Sequence, residues 1–185
     1  MLILDDVRCG FRLNFGGSWE SLGIQPDLSA WGKAVSNGYT VSAVLGVETL
    51  RDAATSIFST GTYWFAAVPM AAAIATINAI RDEDGIARME RAGELLRSGI
   101  VEQAKAHDLA ISYTGPAQMP YFRFLADQDF ERMMHFSRVA LDNGVYIHPR
   151  HNWFVSVSHT DEMVARALSG TEAAFRAVRD RFGDG

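Results

Sequence analysis

Lysine is nearly missing from this 185-residue chain: of 17 basic residues only Lys33 and Lys105 are lysines, and the other 15 are arginines. Cysteine occurs once, at Cys9, which excludes an internal disulfide framework and a cysteine-based zinc site and suits a reducing cytoplasm. A net charge of -5, a pI near 5.5 and no run of basic residues leave no electrostatic footprint for nucleic acid or an anionic membrane. No apolar run approaches membrane-spanning length, and Asp5 and Asp6 interrupt the opening Met1-Leu2-Ile3-Leu4 too early for a signal peptide. There is no internal repeat and no low-complexity segment. What is present is 48% apolar, enough to bury the core of one or two domains. The expectation is a soluble, cytoplasmic protein whose partners are small molecules.

With so few lysines, each calls for a reason. Lys105 falls near the end of a helical pattern, where a cation complements the helix dipole. Lys33 follows the apolar stretch Leu28-Ser29-Ala30-Trp31 and precedes Ala34-Val35. Its ammonium is expected to be poorly solvated and its pKa open to depression, the environment of a nucleophile.

Leu2 to Leu4 form a continuous apolar run ending in two aspartates, which predicts a buried parallel strand that delivers carboxylates at its C-terminal end. Ligands of open α/β sheets bind at such ends. Glycines and Pro26 mark residues 13–27 as a loop, and strands are predicted at 28–31 and 41–47 around a turn at Ser36–Thr40. A Gly/Thr/Ser-rich loop at 55–62 precedes a helix from about Pro69 to Arg81, stopped at Asp84-Gly85. Ile86, Met89, Ala92, Leu96, Ile100 and Ala104 keep the spacing of a second, amphipathic helix. Beyond residue 108, strands are predicted at 109–114, 120–125, 145–147 and 153–158. One helical stripe runs through Phe130, Met133, Met134, Ser137, Ala140 and Leu141, and another from Met163 to Val178. The aromatic and methionine positions sit mostly at core spacing.

The ordered pattern Leu2-Ile3-Leu4-Asp5-Asp6-Val7-Arg8-Cys9-Gly10-Phe11-Arg12, then Pro26-Asp27-Leu28, then Gly32-Lys33, resembles the signature of class III, fold-type I, pyridoxal-phosphate aminotransferases. The family pattern is an apolar strand, Asp-Glu-Val, a Gly-Phe-Arg turn, Pro-Asp and Gly-Lys. Asp5 and Lys33 stand 28 residues apart, in keeping with it. The glutamate-1-semialdehyde aminomutases and β-amino-acid aminotransferases look like the nearest branches. The resemblance implies an α/β fold in which residues 1–84 are the C-terminal part of a large cofactor-binding domain with a mixed, mostly parallel sheet. Residues 85–107 would be a connecting helix and 108–185 a small C-terminal α/β domain. Family members run for more than two hundred residues before the opening strand, so the resemblance also implies a fragment.

It further implies that Lys33 carries pyridoxal 5'-phosphate as a Schiff base and then acts as general base and acid. Asp5 would keep the cofactor's ring nitrogen protonated, the condition for its use as an electron sink, and Val7 would pack against the ring. Singly, an aspartate ending a strand and a lysine on a loop are ordinary; their order along the chain is what carries the assignment. Ser59-Thr60-Gly61-Thr62-Tyr63 resembles the family segment whose threonine reaches the cofactor phosphate of a neighbouring subunit, which implies a homodimer with Thr62 in that role. The family usually continues with Ser-Gly-Asn-Pro, and this chain departs from it with Trp64-Phe65-Ala66-Ala67-Val68-Pro69.

The stretch from Gly144 to Glu162 resembles the family's C-terminal ending. Thr160 is predicted to cap the last helix, with Asp161 and Glu162 in its first turn. Arg150 is either a bidentate partner for a substrate carboxylate, which would favour an amino-acid or β-amino-acid aminotransferase over an aminomutase, or a solvated loop arginine. His148, His151 and His159 lack metal-ligand spacing, so no metal is expected. The implied reaction moves an amino group from an amino donor to a keto or aldehyde acceptor. An aminomutase and an inactive remnant are the alternatives.

Overall fold

The computed structural model describes residues 1–125 and 127–183; Asp184 and Gly185, which close the expected small domain, lie outside the described residues. The chain divides into two compact units, Met1–Ile86 and Ala87–Gly185.

The first unit is built on three strands, β1 (Ile3–Asp5), β2 (Leu28–Trp31) and β3 (Ala43–Gly46), in the order β1-β2-β3. β1 pairs with β2 in parallel, with Asp5 level with Ala30, and β2 pairs antiparallel with β3. The sheet is therefore mixed. The connection after β2 carries only a one-turn 3-10 segment and the Ser36–Thr40 turn, and a return without a crossover helix brings β3 back antiparallel. The opening run was expected to be buried throughout, but Leu4 alone is buried, because β1 has a single strand neighbour and its side chains alternate. A 3-10 turn at Glu48–Leu50 and a short helix α1 (Arg51–Thr55) occupy the stretch before the 55–62 loop. Helix α2 spans Ala67–Asp82, so Pro69 sits in its first turn, where its missing N–H has no helical acceptor.

The second unit takes all but the first two residues of helix α3 (Gly85–Ala106), followed by β4 (Ile111–Thr114), β5 (Tyr121–Phe124), α4 (Glu131–Asp142) and α5 (Asp161–Phe182). β4 and β5 pair antiparallel, and Ile100, Phe122, Phe124, Met133, Phe136, Phe175 and Val178 fill the core between them and the helices. Gly93 allows close approach in α3: a Cβ there would stand 2.0 Å from the Ala117 carbonyl oxygen.

Two expected strands are absent among the described residues. Trp153 and Val155 donate to the carbonyls of Pro120 and Gln118, both at 2.9 Å, but Pro120 has no N–H with which to return a bond. At 145–147, the Val145 N–H is committed to the Ala140 carbonyl at the end of α4. The α4 stripe is also rotated from its expected position. Met133, Phe136 and Ala140 are buried, whereas Met134 and Leu141 are exposed.

Candidate functional site

The C-terminal ends of β1 and β2 lie side by side. Because the strands are parallel and Asp5 pairs with Ala30, the chain leaves β1 at Asp5 close to where it leaves β2 at Trp31. Strand alternation then separates the two aspartates. Asp5 is exposed and its Oδ1 accepts the Val7 N–H at 3.0 Å, while Asp6 is fully buried. Gly32, in extended backbone, leads from β2 into the 3-10 turn Lys33–Val35. Val7 reaches this corner from the other strand: its Cγ1 would lie 3.6 Å from a Cβ on Gly32.

Lys33 is held with φ of 50°, in the left-handed region that non-glycine residues rarely adopt. It is exposed. The expectation of a poorly solvated amine is corrected: the apolar neighbours Trp31 and Val35 are buried, but they turn inward, and the left-handed turn carries Lys33 away from them.

Thr62 is exposed and lines an open groove of about 580 Å³ together with Tyr39, Ser42, Tyr63, Trp64 and Ala66. Neither Asp5 nor Lys33 belongs to that lining. Ser42 connects the two places, since its Cβ would lie 4.0 Å from a Cβ on Gly32. The groove lining also includes Pro69 and Met70 from the first turn of α2.

Arg150 belongs to the second unit. It is exposed, its N–H donates to His148 Nδ1 at 3.1 Å, and its guanidinium lies 4.9 Å from the centre of the Phe130 ring. Arg123 lies over the same ring at 5.3 Å. Stacking on a ring uses the face of a guanidinium and leaves its in-plane donors pointing elsewhere. The nearby histidines are bound locally: His151 Nδ1 meets the Asn152 carbonyl at 2.6 Å, and His159 Nδ1 accepts the Ser156 N–H at 3.1 Å.

Asp6 was not singled out in the sequence, yet it is the most enclosed charged residue near the corner. Its carboxylate accepts the Ser18 N–H at 3.0 Å, its N–H donates to the Ala30 carbonyl and its carbonyl accepts the Gly10 N–H. The signal was available in two adjacent acids at a strand end, of which alternation buries one. Cys9, close by, has its thiol pushed up by burial and by the negative charges of Asp6 and Asp5.

Residues 1–179 match the family model described as aminotransferase class-III. The chain is 48% identical over 178 residues to the aminopentol aminotransferase of Sphingopyxis macrogoltabida, covering 96% of this chain and 42% of that one. It is 31% identical over 191 residues to a glutamate-1-semialdehyde 2,1-aminomutase of Desulforudis audaxviator, covering 95% and 44%. The solved structure of the FumI protein of Sphingopyxis sp. MTA144, described as its PLP internal aldimine form, superposes with a TM-score of 0.95 at 47% identity, over 97% of this chain and 44% of that one. The chain thus spans less than half the length of the relatives it matches.

Proposed function

The chain belongs to the class-III aminotransferase family, and from that premise we propose that it is part of a pyridoxal-phosphate-dependent aminotransferase in which Asp5 and Lys33 are the catalytic pair. One observation carries the proposal. The parallel register of β1 and β2 brings Asp5 and the step into Gly32-Lys33 to neighbouring strand ends, and Val7 Cγ1 would lie 3.6 Å from a Cβ on Gly32. That donor set suits a flat ring with a basic nitrogen at one end and an aldehyde at the other. The cofactor, when bound, supplies an electron sink for the charge left on the substrate's Cα.

The protein groups then have separable tasks. Lys33 Nζ would hold the cofactor covalently and would carry the proton taken from the substrate's Cα. Its exposure at the corner leaves Nζ free to swing between these positions. The Asp5 carboxylate would keep a proton on the ring nitrogen, and Val7 would pack beside the ring. Thr62 is read as a hydroxyl donor to the phosphate of a neighbouring subunit's cofactor, from the groove that it lines. A homodimer follows from that role. Residues 1–84 are read as the C-terminal part of the cofactor domain, 85–107 as a connecting helix and 108–185 as a small C-terminal domain. The proposed location is cytoplasmic.

The substrates are read as an amino donor and a keto or aldehyde acceptor. Arg150 would direct its in-plane donors at the carboxylate of an amino acid or β-amino acid. The 48%-identical relative is named for an aminopentol, so an amine donor stands beside these. The likeness to an aminomutase supports a second reading, in which one substrate is rearranged without a separate acceptor. Arg150 favours the first, because the aminomutase branch resembled by this loop usually has a small uncharged residue there.

The test is to titrate purified protein with pyridoxal phosphate and follow visible absorbance, with Lys33→Ala as control. A saturable band in the wild type that Lys33→Ala lacks is the expected result. A chain without any lysine-dependent band would not be catalytic by itself. Where the band forms, product that requires both donor and acceptor marks an aminotransferase, and product from one substrate alone marks an aminomutase.

A further inference from the structure

Every hydrogen-bonding group of Asp6 is tied inward. Its N–H donates to the Ala30 carbonyl on β2 at 2.9 Å, and its carbonyl accepts the Gly10 N–H at 2.8 Å. Its carboxylate oxygens accept the Ser18 N–H at 3.0 and 3.3 Å. The loop comes close to receive it: Gly17 has φ of 117°, and a Cβ there would stand 3.1 Å from Asp6 Oδ2. Asp6 has no solvent exposure, and burying a carboxylate is costly unless hydrogen bonds hold it.

A residue anchored on three sides leaves its strand neighbour little freedom. Successive side chains on a strand point to opposite faces, so the inward Asp6 sets Asp5 outward. The peptide that carries Asp6 also presents the Val7 N–H to Asp5 Oδ1 at 3.0 Å. Asp5 therefore takes its position from a peptide that Asp6 fixes to β2, the Gly10 turn and the Ser18 loop together.

We propose that Asp6 is a positioning residue for Asp5, acting as a hydrogen-bond anchor that fixes where the Asp5 carboxylate meets the cofactor's ring nitrogen. The proposal rests on the aminotransferase reading for its consequence, and on the hydrogen bonds of the chain alone for its mechanism. What matters at Asp6 is an acceptor of the right length. Asparagine supplies one, whereas alanine and serine cannot reach the Ser18 N–H.

Protection of the Val7 amide reports where the Asp5 carboxylate lies, because that amide donates to it. Residue-resolved hydrogen exchange on the cofactor-free protein should show Val7 exchanging on the order of tenfold faster in Asp6→Ala, the equivalent of one such bond. Asp5→Ala should do the same, and Asp6→Asn should remain within twofold of wild type. Should Asp6→Ala fail to fold, Asp6→Ser makes the same comparison. Unchanged Val7 exchange with faster Ser18 exchange would show that Asp6 anchors only the loop, and the proposal would fall; so would an asparagine variant that behaves like alanine. With pyridoxal phosphate bound, the pH midpoint of the visible band should move in Asp6→Ala and be restored in Asp6→Asn. If the wild type lacks a Lys33-dependent band, the chain is not catalytic by itself, and Val7 exchange still decides the role of Asp6.

Discussion

In the second unit, the rings of Phe122, Phe124, Phe136 and Phe175 pack with centroids 4.8 to 6.0 Å apart, and none of them is more than 1% exposed. In the first, α2 buries none of its 16 residues, and Val44 and Ile74 stay 71% and 63% exposed. Hydrophobic stabilisation follows area removed from water, so the second unit holds itself together through its own side chains, while the first relies more on backbone pairing and local hydrogen bonds. The residues proposed for the cofactor site, Asp5, Val7, Lys33 and Thr62, all fall in the less enclosed unit. The enclosed core and the proposed cofactor-binding residues lie in different stretches of sequence.

Large-to-small substitutions test that contrast most directly. Phe122→Ala should cost about 3–5 kcal/mol in denaturant unfolding followed through the second unit, because its ring touches three other buried phenylalanines. Ile74→Ala should change the first unit by no more than about 0.5 kcal/mol. Equal losses would break the comparison. A smaller effect is expected at the start of α5, where the Thr160 side chain accepts the Met163 N–H at 3.3 Å. Thr160→Ala should cost about 1 kcal/mol in the same measurement, and Thr160→Ser should recover most of it.

The smallest effect is a pH dependence. Burial pushes the His135 imidazole below its usual value, as do the positive charges of Arg181 and Arg138, against a backbone hydrogen bond at Ala177. The unfolded imidazole takes up a proton near its ordinary pKa of about 6.5, and the folded protein resists it. The stability contributed is therefore present above about pH 6.5 and is lost as pH falls through the lower folded value. His135→Gln should flatten this part of the curve for the second unit, as read from urea midpoints at about pH 7.5 and about pH 5. An unchanged slope would show that His135 is not the group responsible.

Elements whose order depends on local pattern were legible in the sequence. The spacing of Met89, Ala92, Ile100 and Ala104 located α3, and the Thr160-Asp161-Glu162 sequence located the start of α5. The strands at 28–31, 41–47, 109–114 and 120–125 were legible too, but those expected at 145–147 and 153–158 are not formed. Residues 153–158 have strand-like composition, but whether they join a ladder is decided at Pro120, more than thirty residues away, which has no N–H to give. The site divides in the same way. Strand order and the Gly32-Lys33 step pointed to Asp5 and Lys33, whereas the solvation of Lys33 turns on a dihedral angle that its apolar neighbours do not reveal. Asp6 escaped notice because its partner, the Ser18 amide, belongs to a loop whose path glycine composition does not specify.

The left-handed backbone of Lys33 has a practical consequence for anyone engineering this chain. A lysine held there costs on the order of 1–3 kcal/mol relative to relaxed backbone, and glycine adopts the same angles without that strain. A screen that ranks substitutions by thermal stability alone would reward Lys33→Gly. It would enrich sturdier proteins that had lost the amine proposed to carry the cofactor.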